Sequence, residues 1–368
     1  MNLRRWPLLR RYNDLRFLIF YVTSQCNARC RTCFFWKDLN TGRGPGLSEI
    51  EKLAATSPRF RTLLIGGGEP SLRDDLPQIV TIFRRHNHIH DASVPTNGLL
   101  PARIEALARQ TLTLNRGLLL SFNVSLDGPT ATHDRLRGVP GSFDRAVETI
   151  HRLAAVRSEE PRLSVVVNTV ICAENLSEIV PFARFAWEEL PLDGHFFELI
   201  RGNPKDLVVE GLPGDALATA YKELVRIQER YLERSTVSMG VVRRVISRVL
   251  GTGRLLWQYR AQYRRYVQGQ LWTVDCRAGR TIGVVEPNGT LKACELRGAV
   301  ASLADSDWDL AAAWYGPEMS RETRRIAADR CDCTHVCFVQ SSRDHSLRAT
   351  LVEVPWLWLR YRRNRAWL

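Results

Sequence analysis

The chain has 368 residues, of which 45% are hydrophobic and 25% are charged, and this ordinary globular usage excludes wholesale disorder and a polytopic membrane protein. Its 52 lysines and arginines exceed its 39 acidic residues by 13, which favours an anionic partner such as phosphate, an anionic lipid surface or nucleic acid. At roughly 150 residues per domain, the length indicates two domains, or one large domain with an appendage.

Short apolar runs alternate with helical segments over the first 200 residues. Strands are predicted at 17–22, 62–65, 92–94, 118–124, 163–171 and 195–200. Helices are predicted at 47–55, 76–85, 102–110, 143–156 and 176–190. Six β/α units in series predict a parallel sheet covered by helices, either open or closed into a full or partial barrel. In such folds, ligands lie at the carboxyl ends of the strands.

Three cysteines follow the first predicted strand directly. Cys26, Cys30 and Cys33 have the spacing C-x3-C-x2-C. Three thiolates on one tight loop can hold three irons of a [4Fe–4S] cluster and leave the fourth iron open to a substrate or cofactor. A zinc knuckle with a distant fourth ligand is the alternative that this spacing leaves open.

Short polar motifs follow the next predicted strands in series. They are Gly66–Pro70 (GGGEP), Thr96–Gly98 (TNG) and Ser125–Gly128 (SLDG), and Asn168 lies within the fifth strand. Taken alone, Asn97-Gly98 predicts a tight turn, and Asp127 is typical of a helix N-cap. Their serial position at strand ends favours a role in binding.

The cysteine loop and these motifs resemble the radical S-adenosylmethionine (AdoMet) superfamily over about residues 15–200. The resemblance implies an α/β core at 13–233, folded as a partial (β/α)6 TIM-like barrel. It also implies an enzyme that reductively cleaves AdoMet to methionine and a 5′-deoxyadenosyl radical, which abstracts a substrate hydrogen. An external electron donor of the flavodoxin or ferredoxin type would be its redox partner.

The resemblance also implies which residues hold the cofactors. Cys26, Cys30 and Cys33 would ligate the [4Fe–4S] cluster whose open iron binds AdoMet. The implied AdoMet contacts are Gly67, Gly68, Glu69, Thr96, Ser125, Asp127 and Asn168. Glu69 would receive the methionine amino group, and Ser125 and Asp127 the ribose hydroxyls. The family's aromatic residue before the third cysteine is replaced by Thr32, so the adenine contact is unassigned, as is the general acid or base.

The composition changes after residue 233. Eight arginines and no acidic residue lie between Arg234 and Arg265, and the segment 234–270 is predicted to be helical, basic and aromatic. Within it, Val241–Leu250 forms one apolar helical stripe backed by arginine. The tail, 341–368, interleaves arginines with tryptophans, and the basic segment 1–12 is similar.

These basic, apolar segments suggest peripheral contact with an anionic membrane surface. Trp356, Trp358 and Trp367 are of the type found at membrane interfaces. No apolar run approaches the ~20 residues of a membrane span, and no signal peptide is evident. We therefore expect a cytoplasmic protein, with contact at the inner face of the membrane as a hypothesis and a solvated basic face as its alternative. Nucleic acid is disfavoured, since no RNA-binding domain is recognised.

Five further cysteines lie within residues 271–340 and flank the hairpin signal Asn288-Gly289. They are Cys276, Cys294, Cys331, Cys333 and Cys337. This region resembles the small α+β SPASM/Twitch extension of radical AdoMet enzymes, and the resemblance implies one auxiliary [4Fe–4S] cluster with four ligands. Cys276, Cys294 and Cys337 are the first choices, Cys331 and Cys333 compete for the fourth place, and His335 is an outside candidate. A structural zinc site is the alternative.

Two substrate classes remain open. The basic aromatic segments favour a small-molecule, glycan or lipid-linked intermediate. About 15 residues precede the first strand, which leaves no room there for a leader-binding domain of the kind that peptide maturases carry. A peptide (RiPP) maturase is the alternative, and a zinc-binding nucleic-acid protein is the non-enzyme alternative.

Overall fold

A computed structural model describes residues 14–368, so the basic segment 1–12 lies outside the described residues. Nine strands form one sheet in the order β6-β5-β4-β3-β2-β1-β7-β8-β9. The strands are β1 (Phe17–Thr23), β2 (Thr62–Gly67), β3 (Asp91–Thr96), β4 (Leu119–Ser125), β5 (Leu163–Ile171), β6 (Gly194–Leu199), β7 (Ile282–Val285), β8 (Thr290–Lys292) and β9 (Ala299–Ser302).

Twelve α-helices occur in the described part of the chain. Those of the barrel are α1 (Leu47–Thr56), α2 (Leu76–Asn87), α3 (Pro101–Leu114), α4 (Thr130–Arg137), α5 (Ser142–Glu159) and α6 (Ile179–Glu189). Those that follow are α7 (Gly214–Thr236), α8 (Val241–Gln268), α9 (Leu310–Trp314), α10 (Pro317–Ala328), α11 (Val336–Asp344) and α12 (Val354–Arg362).

Strands β1 to β6 pair in parallel in chain order, and the sheet does not close, as a partial barrel requires. Their core-facing residues are buried against the helices, with Phe20 and Phe83 in edge-to-face contact in the core. The predicted α/β fold class is confirmed. Helix α4 was not predicted, because Leu136 is the only large apolar residue among its eight.

The extension continues the sheet of the barrel. Strand β7 pairs in parallel with β1, with Phe17 opposite Ile282 and Phe20 opposite Val285. The predicted hairpin then joins β7 to β8, and Gly289 supplies the left-handed turn at φ +83°. One sheet contains the strands of both the barrel and the extension. The predicted domain boundaries at residues 233 and 271 therefore stay predictions.

The segment predicted to be basic and helical contains the 28-residue helix α8. In its second half, the side chains of Leu256, Trp257 and Tyr259 are buried. Its first turns leave Val241 and Val242 73% exposed. In the described part of the chain, no helix is long and apolar enough to span a bilayer.

Candidate active site

One cavity of about 240 Å³ opens at the carboxyl ends of the parallel strands and unites most of the predicted cofactor contacts. Its walls include Cys26, Cys30, Cys33, Gly67, Gly68, Glu69, Thr96, Ser125 and Asn168. Asn97 of the TNG motif lines it as well, and so do residues outside all the predicted motifs, among them Tyr21, Arg137 and Glu295. Sequence positions far apart therefore share one site.

The cysteine loop is tied to helix α4. The backbone N–H groups of Arg29 and Arg31 donate to the carbonyls of Arg137 and Leu136 at 3.0 and 2.8 Å. The Cys30 thiol accepts from the Arg137 guanidinium at 3.6 Å. These bonds place three thiols around the cavity with positive charge beside one of them.

The glycine motif is locked against the same loop. A Cβ on Gly67, whose φ is +111°, would lie 2.2 Å from the Thr23 carbonyl oxygen. A Cβ on Gly68 would lie 2.1 Å from the Gln25 carbonyl oxygen, which accepts a hydrogen bond from the Glu69 N–H at 2.7 Å. The glycines therefore allow strand β2 to end directly against the cysteine loop.

The Glu69 carboxylate is buried and accepts several hydrogen bonds. Its oxygens accept from the Thr96 hydroxyl at 2.7 Å, the Asn97 N–H at 2.7 Å and the Ser71 N–H at 3.1 Å. Burial raises the pKa of Glu69, although these hydrogen bonds oppose the shift. An amino group in the cavity would meet a fixed, desolvated acceptor here.

Asp127 does not line the cavity. It is fully buried, and its carboxylate accepts from the Val170 N–H at 3.0 Å and pairs with Arg137 at 2.7 Å. The structure therefore gives this carboxylate the task of holding Arg137 beside Cys30. Its contact with the ribose stays a prediction, as do those of Ser125 and Asn168, whose side chains do line the cavity.

A group of buried charged residues lines the cavity where the barrel meets the extension. Glu198 pairs with Arg201, and Glu295 pairs with Arg201 and His335. The Tyr21 hydroxyl donates to Glu295 at 2.5 Å. Burial would raise the pKa of Glu295, but His335, Arg201 and Tyr21 outweigh it and lower the pKa to about 2. We call these five residues the charged pole.

The C-terminal cysteines separate into two sets. The thiols of Cys276 and Cys331 are hydrogen-bonded to each other. Cys331 and Cys333 lie near enough to Cys294 to raise the pKa of its thiol. Cys337 instead lines the cavity. Sequence reasoning could not distinguish these sets, because CDCTHVC places all three of its cysteines within one short stretch.

The donor set fits the expected clusters. Among residues 14–368, no three Cys, His, Asp or Glu side chains converge on a single-ion site. In a [4Fe–4S] cluster each cysteine binds a different iron atom, so the sulfurs surround the cluster and do not meet at one ion. The loop thiols, their N–H donors and the open cavity suit a [4Fe–4S] cluster with one free iron.

Residues 20–186 match the Radical SAM superfamily. This chain contains a radical SAM domain. The family uses a [4Fe–4S] cluster and AdoMet, so the prediction of these two cofactors is confirmed. Members of this superfamily are enzymes.

Curated relatives match about half of this chain. The Fe-coproporphyrin III synthase of Methanosarcina barkeri is 29% identical over 53% of this chain and 47% of its own length. The GTP 3′,8-cyclase of Acidothermus cellulolyticus is 30% identical over 46% of this chain and 48% of its own length. The chain thus spans about half the length of the curated relatives it matches.

Solved structures share the fold over most of the chain. The AdoMet-bound protein anSMEcpe has a TM-score of 0.57 at 14% identity, covering 94% of this chain and 95% of its own. Streptococcus suis SuiB bound to S-adenosylmethionine has a TM-score of 0.55 at 16% identity, covering 84% of this chain and 68% of its own. At these identities the likeness concerns the fold alone.

Proposed function

We propose that this protein is a radical AdoMet enzyme that abstracts a hydrogen atom from a small-molecule, glycan or lipid-linked substrate. One observation carries the proposal: a single cavity joins the cysteine loop and the Gly-Gly-Gly-Glu segment to the charged pole. The first two fit the cofactors, and the charged pole supplies fixed donors and acceptors for a polar substrate.

When bound and reduced, the cluster supplies the electron that cleaves AdoMet into methionine and a 5′-deoxyadenosyl radical. Cys26, Cys30 and Cys33 would hold that cluster, and Arg137 would donate to the Cys30 sulfur. Glu69 would accept from the methionine amino group. The buried cavity wall would orient the substrate carbon and exclude water.

A lipid-linked substrate is supported by the outer surface around α8 and α12. Val245 and Ile246 are more than half exposed beside the arginines of α8. Trp356 on α12 is 45% exposed, and the guanidinium groups of Arg260 and Arg360 lie 5.3 and 4.8 Å from the centre of its ring. Exposed apolar side chains among cations are the features of an interfacial membrane contact. Trp367, expected to share this role, is instead buried.

A peptide substrate is the second candidate. The solved structures that share the fold include SuiB bound to the precursor peptide SuiA and anSMEcpe bound to the Cp18Cys peptide. The zinc-binding nucleic-acid alternative has weaker support, because the radical SAM domain covers the cysteine loop.

Metal analysis and AdoMet cleavage test the enzyme proposal. The anaerobically reconstituted protein should hold about eight irons and, with dithionite, convert AdoMet to 5′-deoxyadenosine and methionine. The Cys26/Cys30/Cys33→Ala variant should hold about four irons and cleave no AdoMet, while Cys172→Ala, a buried cysteine outside both groups, should match the wild type. Zinc without iron would refute the proposal.

Vesicle flotation tests the membrane contact. The protein should float with phosphatidylcholine vesicles that contain phosphatidylglycerol, and less with phosphatidylcholine alone. Val241→Asp with Ile246→Asp should abolish flotation, because both side chains are exposed on α8. Leu207→Asp, a 69% exposed residue elsewhere, is the matched control and should leave it unchanged. Equal flotation of all three proteins would contradict the proposal.

A further inference from the structure

We propose that Cys337 is not a ligand of the auxiliary cluster but a hydrogen-atom donor that faces the reaction cavity. The inference rests on the radical chemistry proposed above. It assigns Cys276, Cys294, Cys331 and Cys333 as the four auxiliary ligands. The Cys337 thiol would then be a reactive group beside the charged pole.

The first argument is a repeated pattern of donors to sulfur. In both cysteine groups, a thiol accepts a hydrogen bond from the backbone N–H two residues later. The pairs are Cys26–Ala28, Cys33–Phe35, Cys276–Ala278, Cys294–Leu296 and Cys333–His335. Such a bond stabilises the thiolate, which is the form that binds iron. Cys172, outside both groups, accepts the same kind of bond from Glu174, so this donor does not by itself identify a ligand.

Each group completes the pattern with one arginine. Arg137 donates to Cys30 at 3.6 Å, and Arg297 donates to Cys331 at 3.9 Å. Three loop cysteines and four C-terminal cysteines thus share two types of donor. Three ligands suit a cluster with an open iron, and four suit a closed one.

Cys337 has different surroundings. Its charged neighbours are Glu198, Glu295 and Arg201, all in the charged pole. His335 separates the two environments, because its N–H donates to Cys333 and its Nδ1 accepts from the Cys337 N–H at 3.3 Å. The turn therefore directs Cys333 toward the cysteine group and Cys337 into the wall of the cavity.

The wall at this end of the cavity is made of polar side chains that are largely buried. The Nε atom of Arg201 is buried there with no hydrogen-bond partner among the described residues. Glu295 and His335, with side chains 6% and 1% exposed, form the rest of the wall beside it.

Among the groups that line the cavity, thiol S–H and phenol O–H bonds are the weakest bonds to hydrogen. Apart from the three loop cysteines assigned to the cluster, two side chains offer them, Cys337 and Tyr21. The Tyr21 hydrogen is already engaged in the 2.5 Å bond to Glu295. This leaves the Cys337 thiol, which lines the cavity beside the charged pole, as the donor at this end.

The step balances with a one-electron reductant. The Cys337 S–H bond breaks and a C–H bond forms at a carbon radical in the cavity, which leaves a thiyl radical. One electron from the external donor and one proton from water restore the thiol. In deuterium oxide the thiol carries deuterium, so the hydrogen that it transfers becomes labelled.

Metal analysis of the full-length reconstituted protein tests the ligand assignment. Cys337→Ser should keep about eight irons per chain, whereas Cys333→Ser should keep about four. Loss of about four irons in Cys337→Ser would overturn the inference.

Isotope content tests the donor role without a known substrate. With AdoMet and dithionite in deuterium oxide, the wild type should release mostly monodeuterated 5′-deoxyadenosine. Cys337→Ser should lower the deuterated fraction several-fold, and Cys172→Ser, whose sulfur is buried elsewhere, should not.

The outcomes separate the two proposals. If the wild type leaves AdoMet intact, the proposed function fails and the inference fails with it. If AdoMet is cleaved and Cys337→Ser is labelled as fully as the wild type, the inference alone fails. A loss of label in Tyr21→Phe, with none in Cys337→Ser, would assign the donor to Tyr21 and overturn the inference.

Discussion

The cysteine loop and the C-terminal cysteine group surround their sulfurs with the same donors but assemble them differently. The loop holds three cysteines within eight residues, Cys26–Cys33, and is supported by α4 and the end of β2. The C-terminal group draws cysteines from three stretches, at 276, 294 and 331–333. A locally encoded site leaves a motif that can be recognised, whereas an assembled one depends on how distant segments pack.

The largest expected effect comes from removing one cysteine from each group. Cys26→Ser should lose about four irons and all AdoMet cleavage, because the open iron belongs to the loop cluster. Cys294→Ser should also lose about four irons but keep measurable cleavage. Iron analysis and chromatography of 5′-deoxyadenosine measure both results. If Cys294→Ser abolished cleavage while its loop cluster was intact, the two groups would not be independent.

The two arginines that donate to sulfur should differ in their effect on stability. Arg137→Ala leaves the fully buried Asp127 without its ion pair and should cost about 3–5 kcal/mol of unfolding free energy. Arg297→Ala removes a guanidinium that is 23% exposed, and its loss should cost about 1 kcal/mol.

Urea unfolding of the two variants beside the wild type measures this difference. Arg137→Lys is the control that keeps a positive charge, and it should recover part of the loss. Equal costs for Arg137→Ala and Arg297→Ala would show that the buried pair with Asp127 does not support the cysteine loop.

The smallest expected effect concerns the contact between β2 and the cysteine loop. Gly68→Ala places a Cβ against the Gln25 carbonyl and should cost about 1–3 kcal/mol, with weaker AdoMet binding, because the loop must move. Gly298→Ala, where a Cβ meets nothing within 4 Å, should change stability by less than about 0.5 kcal/mol. Thermal unfolding and AdoMet titration compare them, and equal behaviour would contradict the proposed locking.

Much of the fold could be predicted because its signals are local. The six strands of the barrel, the loop cysteines and the hairpin at Asn288-Gly289 each follow from residues that are neighbours in the chain. The position of Asp127 could not be predicted, because its partner Arg137 comes from a helix with few apolar residues. The separation of Cys337 from Cys333 depends on the His335 turn, which the cysteine spacing does not show.

The parallel pairing of β7 with β1 has a consequence for synthesis of the protein. Strand β1 has a free edge on the side away from β2 until residues 282–285 of β7 have been made. Exposed strand edges readily pair with other chains. A nascent barrel of this protein must therefore wait for β7 before that edge is protected. Chains that stop short of the extension should aggregate even though all six barrel strands are present.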